Sequence, residues 1–301
     1  MTAVAFFVFN RADTTARVFD RIRSARPSQL FVVADGPRAG VPDDAHRTDA
    51  VRRVVAQVDW PCDVRREYAP RNLGLRERVA TGLSWVFAQT EAAIVLEDDC
   101  LPDPSFFPFC GELLDRYATD DRVMSISGNQ FVPAAGARTH SYRFSRQPLI
   151  WGWATWRRAW QRCDVAMSAW PALRDDRWLE TVLSERRERE YWTYLFDRNY
   201  RLAGAGSWDY AWQLACWRDG GLAIHPAVNL VTNVGFRPDG THGKDPRQVG
   251  ANAASAAMAF PLRHPADLAR DVEADAALET AMFSGHLARL MRHLGNRARA
   301  T

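Results

Sequence analysis

Three consecutive carboxylates, Glu97, Asp98 and Asp99, directly follow an apolar run that begins at Ala92. Such a run is typical of a buried strand in a parallel sheet, and open α/β sheets bind ligands at the carboxyl ends of their strands. Clustered carboxylates repel one another and resist desolvation, so they favour a hard divalent cation, which usually also binds substrate phosphates. The triplet therefore indicates a metal and phosphate site. Taken alone, it also fits an acidic helix start capped by Asp99.

The first hundred residues alternate between strand and helix patterns. Strands are predicted over 4–9, 30–34 and 64–68 and again around Ile94, with helices over 13–23, 43–57 and 75–88. This order predicts an α/β fold whose central sheet is mostly parallel, doubly wound and flanked by helices. Each strand ends in polar residues, namely Asn10 and Arg11, then Asp35, then Arg71 and Asn72, and finally the acidic triplet. A doubly wound sheet would gather these residues along one edge as a nucleotide-sized crevice.

The second half of the chain is less regular. Helices are predicted over 106–117, 186–200 and 210–217, and short strands over 123–127, 142–144 and 222–230. The segment 151–160 is rich in Trp and Gly and then turns helical, and 235–250 is a Gly-rich loop. We expect one domain over 1–260 and a C-terminal helical extension over 261–301.

Composition limits the classes of protein. The net charge of the 301 residues is only +3, which does not argue for nucleic acid as a partner. No apolar run approaches the roughly 20 residues of a membrane span, and the N-terminus leads straight into a strand without a signal sequence. We expect a cytoplasmic protein with at most peripheral contact at the inner face of the membrane. The five cysteines include no C-x-x-C pair, which argues against a disulfide framework and against zinc.

Seven segments, spread over about 240 positions, carry a resemblance to a known family. They are FNRADTT from Phe9, VVADGPR from Val32, RNLGLRERVATGLSWVF from Arg71, IVLEDDCLPDPSFF from Ile94, WGWATW from Trp151, SWDYAW from Ser207 and NLVTNVGFRPDGTHG from Asn229. The set resembles GT-A glycosyltransferases. It is most similar to bacterial family 2-like enzymes that share features with the Golgi N-acetylglucosaminyltransferase initiating complex N-glycans. The resemblance implies an inverting, metal-dependent transfer from a nucleotide-diphosphate sugar, with a UDP-sugar favoured and Mn²⁺ or Mg²⁺ as the cation.

The resemblance also implies roles on the donor side. Asp99 would ligate the metal, while Asp98 and Glu97 would contact the ribose or the sugar. Asp35 would accept from the base N–H of a uracil-like ring, the alternative being a plain Asp-Gly turn. Arg11, next to Asn10, would reach a phosphate or the base, the alternative being a surface position.

Further residues border the same crevice. Arg71, Asn72 and Gly74 lie beside it, and the lack of a side chain at Gly74 would permit close backbone approach. We interpret Arg78 as a solvated residue of the following helix. Gly152 and Trp153 would form the floor under the donor sugar, although large aromatic residues usually belong to the core.

Two residues complete the implied site. Asp209 aligns with the family's catalytic base, which takes the proton of the acceptor hydroxyl; the alternative is a helix cap. His242, on the Gly-rich loop, would reach the metal or the diphosphate, the alternative being a solvated loop residue. The acceptor is left open among a glycan, a lipid-linked molecule and a small molecule, and no nucleic acid is expected.

Two other functions remain as alternatives. A sugar-phosphate nucleotidyltransferase would show a Gly-rich loop after its first strand, where this chain has Phe9-Asn-Arg-Ala-Asp13. A non-catalytic carbohydrate-binding protein would explain the 12 tryptophans but not the acidic triplet. The chain contains neither a P-loop sequence nor GxGxxG, which disfavours P-loop enzymes and Rossmann oxidoreductases.

Overall fold

The computed structural model describes residues 2–132, 139–202, 206–236 and 249–282. The strands are β1 (Ala3–Val8), β2 (Gln29–Ala34), β3 (Asp63–Tyr68), β4 (Ala92–Glu97), β5 (Cys100–Pro102), β6 (Val123–Ser127), β7 (Tyr142–Ser145), β8 (Trp153–Trp156), β9 (Leu222–Pro226) and β10 (Val231–Asn233). The helices are α1 (Ala12–Ala25), α2 (Asp44–Val55), α3 (Leu75–Phe87), α4 (Phe106–Arg116), α5 (Arg157–Trp160), α6 (Trp170–Asp175), α7 (Leu179–Val182), α8 (Arg186–Arg201) and α9 (Asp209–Arg218).

The described residues form a central eight-stranded sheet in the order β3-β2-β1-β4-β8-β6-β9-β7. Strands β3, β2, β1 and β4 pair in parallel, and β6 pairs in parallel with β9. Strand β8 runs antiparallel to both of its neighbours, and β7 runs antiparallel to β9. Six of these eight strands thus share one direction, which confirms the predicted α/β class with a mostly parallel sheet.

Helices cover both faces of this sheet. Side chains alternate along a strand, so Val4 and Phe6 of β1 face one way and Ala5 and Phe7 face the other. The first pair packs in a core with α1, α2 and α4. The second pair packs in a core with α3, α5 and α9. The sheet is therefore doubly wound, as predicted.

The chain changes direction across the sheet at β1. It proceeds from β1 to β2 and β3 on one side and returns to place β4 on the other. Ligands bind at such a switch point, in the crevice outside the carboxyl ends of the strands. Arg11, which precedes α1, and the acidic triplet after β4 flank this crevice.

The sequence did not predict strand β8, although the helical end expected for the segment 151–160 is confirmed by α5. Its four residues, Trp-Ala-Thr-Trp, are all buried and pair with both β4 and β6. The helix α5 begins only at Arg157. A four-residue run of this kind carries too few residues to show a strand period, which is why the pattern did not reveal it.

A small antiparallel sheet of β5 and β10 supports the acidic triplet. The register places Asn233 opposite Cys100, the residue that follows the triplet. The N–H of Val234 donates to the carbonyl oxygen of Asp99 over 2.8 Å. Residues 233–236 are thereby held beside the carboxylates.

The described C-terminal residues pack on the rest of the chain. Leu262 belongs to the same core as β1 and α1, and residues 272–282 are helical. The N–H of Asp271 donates to the carbonyl oxygen of Phe144 in β7 over 2.9 Å. The predicted boundary at residue 260 stays a prediction, and 283–301 lie outside the described residues. No helix in the described part is long and apolar enough to cross a membrane.

Candidate active site

A cavity of about 480 Å³ lies at the switch point, outside the carboxyl ends of β1, β2 and β4. The sequence-predicted residues that line it are Arg11, Asp35, Asn72, Gly74, Glu97, Asp98, Asp99 and Asp209. These come from five separate stretches of the chain. The sheet topology explains why all of them except Asp209 meet, because parallel strands end at the same edge, whereas Asp209 comes from the start of α9.

Arg11 forms ion pairs with two members of the acidic triplet. Its Nη2 contacts Oδ1 of Asp98 and lies 2.9 Å from Oδ2 of Asp99. The N–H of Phe9 also donates to Oδ2 of Asp98 over 3.3 Å. The side chain of Asp98 is 4% exposed and that of Asp99 is 16% exposed. Asp98 is thus enclosed by protein donors, whereas Asp99 is the more open of the two.

The triplet is electrostatically unfavourable in the absence of further positive charge. Burial, together with the charges of Asp99 and Asp98, raises the pKa of Glu97 to about 8. Burial raises the pKa of Asp98 to about 6, although Arg11 opposes the shift. For Arg11 itself, burial alone would lower the pKa, but the two aspartates raise it above its ordinary value. One guanidinium therefore faces more negative charge than it can neutralise, and a further cation would be stabilising here.

Asp35 is buried and fully engaged by protein donors. Its Oδ1 accepts from the N–H groups of Gly36 and Leu73, over 2.8 and 2.9 Å. Its Oδ2 accepts from Nδ2 of Asn72 over 2.9 Å and from the N–H of Gly74 over 3.1 Å. A carboxylate offers about four lone-pair sites, and all four are used. The predicted contact with a base N–H stays a prediction, and it would have to replace one of these bonds.

Asn10 does not line the cavity, because its side chain is bound elsewhere. Its Nδ2 donates to Oδ1 of Asp44 over 2.6 Å. The same buried carboxylate binds Arg38 through Nε, Nη2 and the backbone N–H, over 3.0, 2.9 and 2.8 Å. The guanidinium of Arg38 lies 5.2 Å from the ring centre of Phe9, and both residues line the cavity. Sequence reasoning missed Arg38 and Asp44, although the Asp-Gly-Pro turn before Arg38 placed it near the end of β2.

The interpretation of Arg78 as a solvated residue is wrong. Arg78 is 5% exposed, lines the cavity and pairs with Glu67 of β3 over 2.5 Å. Arg71, in contrast, is exposed and does not line the cavity. Its backbone packs against Gly36, where an added Cβ would come within 2.5 Å of the Arg71 carbonyl carbon. The crevice therefore takes its positive charge from Arg11, Arg38 and Arg78 rather than from Arg71.

The tryptophans near the site belong mainly to the core. Trp153 is 1% exposed and stacks on Trp208 with ring centres 5.5 Å apart and planes at 22°. Trp160 and Trp212 complete this cluster of four indoles. Trp153 thus packs under the site rather than forming a floor for a sugar, because β8 lies inside the sheet. Trp151 lines the cavity instead, in contact with Phe236.

Gly152 is required by packing against β10. Its φ is +70°, a conformation that favours glycine, and an added Cβ would lie 2.7 Å from Cγ2 of Val231. Gly152 does not itself line the cavity. The absence of a side chain at Gly152 lets its backbone pass close to Val231.

Asp209 is the first residue of α9, and Trp208 is the N-cap. The residue is therefore not the side-chain cap that the alternative interpretation supposes. Its carboxylate lines the cavity together with Ser207 and Tyr210. It is also close enough to Glu97 to contribute to the raised pKa of that residue. The helix start thus presents a carboxylate to the same space that the triplet borders.

Gly235 fits directly against the carboxylate of Asp99. A Cβ at this position would come within 2.2 Å of Oδ2 of Asp99. The N–H of Gly235 donates to Oδ1 of Asn233 over 2.8 Å, which fixes this approach. The predicted ligand His242 lies outside the described residues.

The residues present suit a cation bound largely by substrate. Within the described ranges no three His, Cys, Asp or Glu side chains are arranged to hold a metal ion. Mg²⁺ and similar hard cations are usually bound by one or two carboxylates, with substrate phosphates and water supplying the other ligands. The partly exposed oxygens of Asp99, beside Asp98, meet that requirement.

No family model matches the sequence, and no curated protein does either. Among solved structures, the chain is similar to the mannosyltransferase PcManGT from Pyrobaculum calidifontis, in complex with GDP-Man and Mn²⁺, at 15% identity, covering 54% of this chain and 46% of that one with a TM-score of 0.38. It is also similar to residues 1–349 of TarS from S. aureus, at 11% identity, covering 58% and 49% with a TM-score of 0.34. A UDP-glucose pyrophosphorylase from Acinetobacter baumanii matches at 12% identity, covering 54% and 77% with a TM-score of 0.32. The match spans about half the length of PcManGT and of the TarS fragment.

Proposed function

We propose that the protein is an inverting, metal-dependent glycosyltransferase that moves a sugar from a nucleotide-diphosphate donor to an acceptor hydroxyl. The observation that carries the proposal is that Asp99 and Asp209, which are far apart in the sequence, line one cavity of about 480 Å³. This volume suits a small-molecule substrate. Asp99 would serve the leaving group, and Asp209 would serve the attacking hydroxyl.

Three arginines on the donor side support the binding of a diphosphate. Arg11, Arg38 and Arg78 line the cavity, and guanidinium groups bind phosphate oxygens through paired hydrogen bonds. A divalent cation at Asp99 would supply neutralisation of the charge that develops on the departing diphosphate. By resemblance the donor is a UDP-sugar, of hexosyl or N-acetylhexosaminyl type.

The acceptor side needs one general base. Asp209 would take the proton of the acceptor hydroxyl as that oxygen attacks the anomeric carbon. A single displacement with one base and no covalent intermediate inverts the anomeric configuration. The buried indoles behind Trp208 hold the backbone of Asp209 in place for this step.

Two structural observations weigh against the alternatives. The turn between β1 and α1 contains no glycine, so it does not form the Gly-rich phosphate loop expected of a nucleotidyltransferase. Trp153, Trp208 and Trp212 are all buried, so they offer no platform for a non-catalytic carbohydrate-binding protein.

The donor half of the proposal is tested with Asp99→Ala. We expect the variant to stay folded and to lose Mn²⁺-dependent binding of UDP and GDP, because the cation loses its protein ligand. Calorimetry with each nucleotide, with and without Mn²⁺, measures this. Asp49→Ala, whose side chain is 61% exposed on α2, is the matched control. Unchanged metal-dependent binding in Asp99→Ala would refute the metal site.

The acceptor half is tested with Asp209→Asn, which keeps the shape of the side chain but cannot accept the proton. We expect turnover to fall by roughly 10²- to 10⁴-fold, with donor affinity nearly unchanged. Asp219→Asn, at the other end of α9, should behave like the wild type. The product, followed by NMR, should carry the anomeric configuration opposite to that of the donor. Retention of configuration, or normal turnover by Asp209→Asn, would show that the mechanism is wrong.

A further inference from the structure

Arg11 places a single nitrogen between two carboxylates. Its Nη2 contacts Oδ1 of Asp98 and lies 2.9 Å from Oδ2 of Asp99. Asp99, beside Asp98, would also hold a divalent cation. The guanidinium and such a cation repel each other and compete for the same oxygens.

Asp98 and Asp99 differ in the hydrogen-bond donors that would remain to them if Arg11 moved away. Asp98 keeps the N–H of Phe9 as a donor, at 3.3 Å. The other contact of the Asp99 carboxylate that the structure gives is with Sγ of Cys100 at 3.6 Å, and a thiol is a weak donor. Arg11 therefore matters most to Asp99, the residue proposed to hold the metal.

The side chain of Arg11 can move away from the two carboxylates without disturbing α1. The carbonyl oxygen of Arg11 accepts from Oγ1 of Thr15 over 2.6 Å and from the N–H of Thr15 over 3.0 Å. The backbone is thus anchored at the start of α1, while the side chain is 21% exposed at the cavity. A rotation of the side chain alone would move its charge from the carboxylates into the cavity.

We propose that Arg11 is an exchangeable counterion: it occupies the cation position at Asp98 and Asp99 in the nucleotide-free protein, and it moves to the diphosphate when metal and donor bind. This inference rests on the proposed function, since it needs a metal site at Asp99. It follows that the free protein binds a bare divalent cation weakly. A nucleoside diphosphate strengthens cation binding partly by drawing Arg11 away.

The test measures binding of Mn²⁺ alone, by calorimetry or by EPR of the free ion, to the wild type, Arg11→Met and Arg11→Gln. Both variants remove the charge, and the second keeps a polar side chain in case the first does not fold. Arg17→Met, at an exposed position of α1, is the control. We expect both Arg11 variants to bind bare Mn²⁺ at least ten times more tightly than the wild type and the control. Without metal they should melt at a lower temperature, and Mn²⁺ should raise their melting temperature more than that of the wild type.

The outcomes separate the two proposals. If the wild type binds UDP or GDP with Mn²⁺ through Asp99, but bare Mn²⁺ binds the Arg11 variants no more tightly, Arg11 is a fixed structural partner and the inference fails alone. If no protein in the series binds Mn²⁺, with or without nucleotide, the metal-dependent function fails as well, and the inference with it.

Discussion

At the scale of single residues, Asp35 acts on the site through the chain around it. Three of its four accepted hydrogen bonds connect the end of β2 to residues 72–74, which directly precede α3. The Nδ2 of Asn72 also donates to the carbonyl oxygen of Gly36 over 3.1 Å, so the amide of Asn72 binds both residues that follow β2. The carboxylate thus determines where Asn72 and Gly74 lie in the cavity wall.

Asp35→Ala should therefore destabilise the fold as well as weaken donor binding. The three backbone N–H groups lose their acceptor, and buried donors left without a partner cost about 1–3 kcal/mol each, less where water enters. We expect the free energy of unfolding in urea to fall by about 2–4 kcal/mol, with UDP affinity reduced in parallel. Asp49→Ala should change neither quantity. A loss of affinity with unchanged stability would show instead that Asp35 contacts the base directly.

The sequence revealed the carboxylates of the site better than its arginines. Asp99 and Asp209 stand next to apolar or aromatic runs, so their place at element ends could be inferred. The chain contains many arginines, and the residues around Arg38 and Arg78 in the sequence do not show whether a guanidinium is buried or exposed. Their roles depend on Glu67 and Asp44, partners that only the tertiary structure brings to them.

At the scale of elements, the start of α3 depends on the backbone of Gly74. Its φ of +80° and ψ of 163° lie in a region that is nearly restricted to glycine. An added Cβ would meet nothing within 4 Å, so conformation rather than crowding requires the glycine here. The sequence-based expectation of close backbone approach at the crevice stays a prediction.

Gly74→Ala should cost about 1–3 kcal/mol of stability and also weaken nucleotide binding, because the strained turn shifts its N–H away from Asp35. Gly40→Ala is the matched control, since Gly40 has a φ of +73°, has open space around it and does not line the cavity. Unfolding and calorimetric titration with UDP measure the two effects. If both variants lose the same stability and both bind UDP as tightly as the wild type, the displacement of the Gly74 N–H does not affect nucleotide binding.

Strand β8 shows where element prediction reached its limit. The alternation of long strands and helices in the first hundred residues was sufficient to predict the parallel half of the sheet. The four residues of β8 form a strand because β4 and β6 offer edges on both sides. The partners of β8 are distant in the sequence, so the local pattern of residues did not indicate a strand. The tryptophans of β8 suggested sugar contacts instead.

At the scale of the whole molecule, a second polar cluster joins the C-terminal residues to the far edge of the sheet. Asp275 is buried and accepts from the N–H of Arg146 over 3.0 Å and from Nη1 of Arg143 over 3.1 Å. His225, in β9, donates from Nε2 to the carbonyl oxygen of Gln147 over 2.6 Å, and its Nδ1 accepts from Arg143 over 3.1 Å. The cluster requires His225 to be neutral.

This requirement predicts a pH dependence of stability. Burial and the charge of Arg143 lower the pKa of His225 to about 3, whereas an unfolded histidine has a pKa of about 6.5. Between these values the unfolded chain binds a proton that the folded chain does not. The contribution of neutral His225 to the free energy of unfolding is therefore complete above about pH 6.5 and is lost as the pH falls toward 3.

His225→Gln should remove the part of the pH dependence of stability that comes from His225. Between pH 7 and 5, the wild type should lose about 2 kcal/mol more than the variant in its free energy of unfolding. Urea denaturation at the two pH values measures the difference. His46→Gln, at an exposed position of α2, should keep the wild-type slope. Parallel slopes in the wild type and His225→Gln would mean that the histidine titrates in the folded protein.

The stacked pair of Trp153 and Trp208 has an optical consequence. Two indoles with ring centres 5.5 Å apart and planes at 22° couple their electronic transitions, which gives paired bands of opposite sign in circular dichroism. Trp208 directly precedes Asp209, while Trp153 is fixed inside the sheet. Trp160 and Trp212 lie close to the same pair and also couple to it, so the bands report the packing of all four indoles, including the one that directly precedes Asp209. The amplitude of these bands during a titration with donor or acceptor would follow this packing in real time.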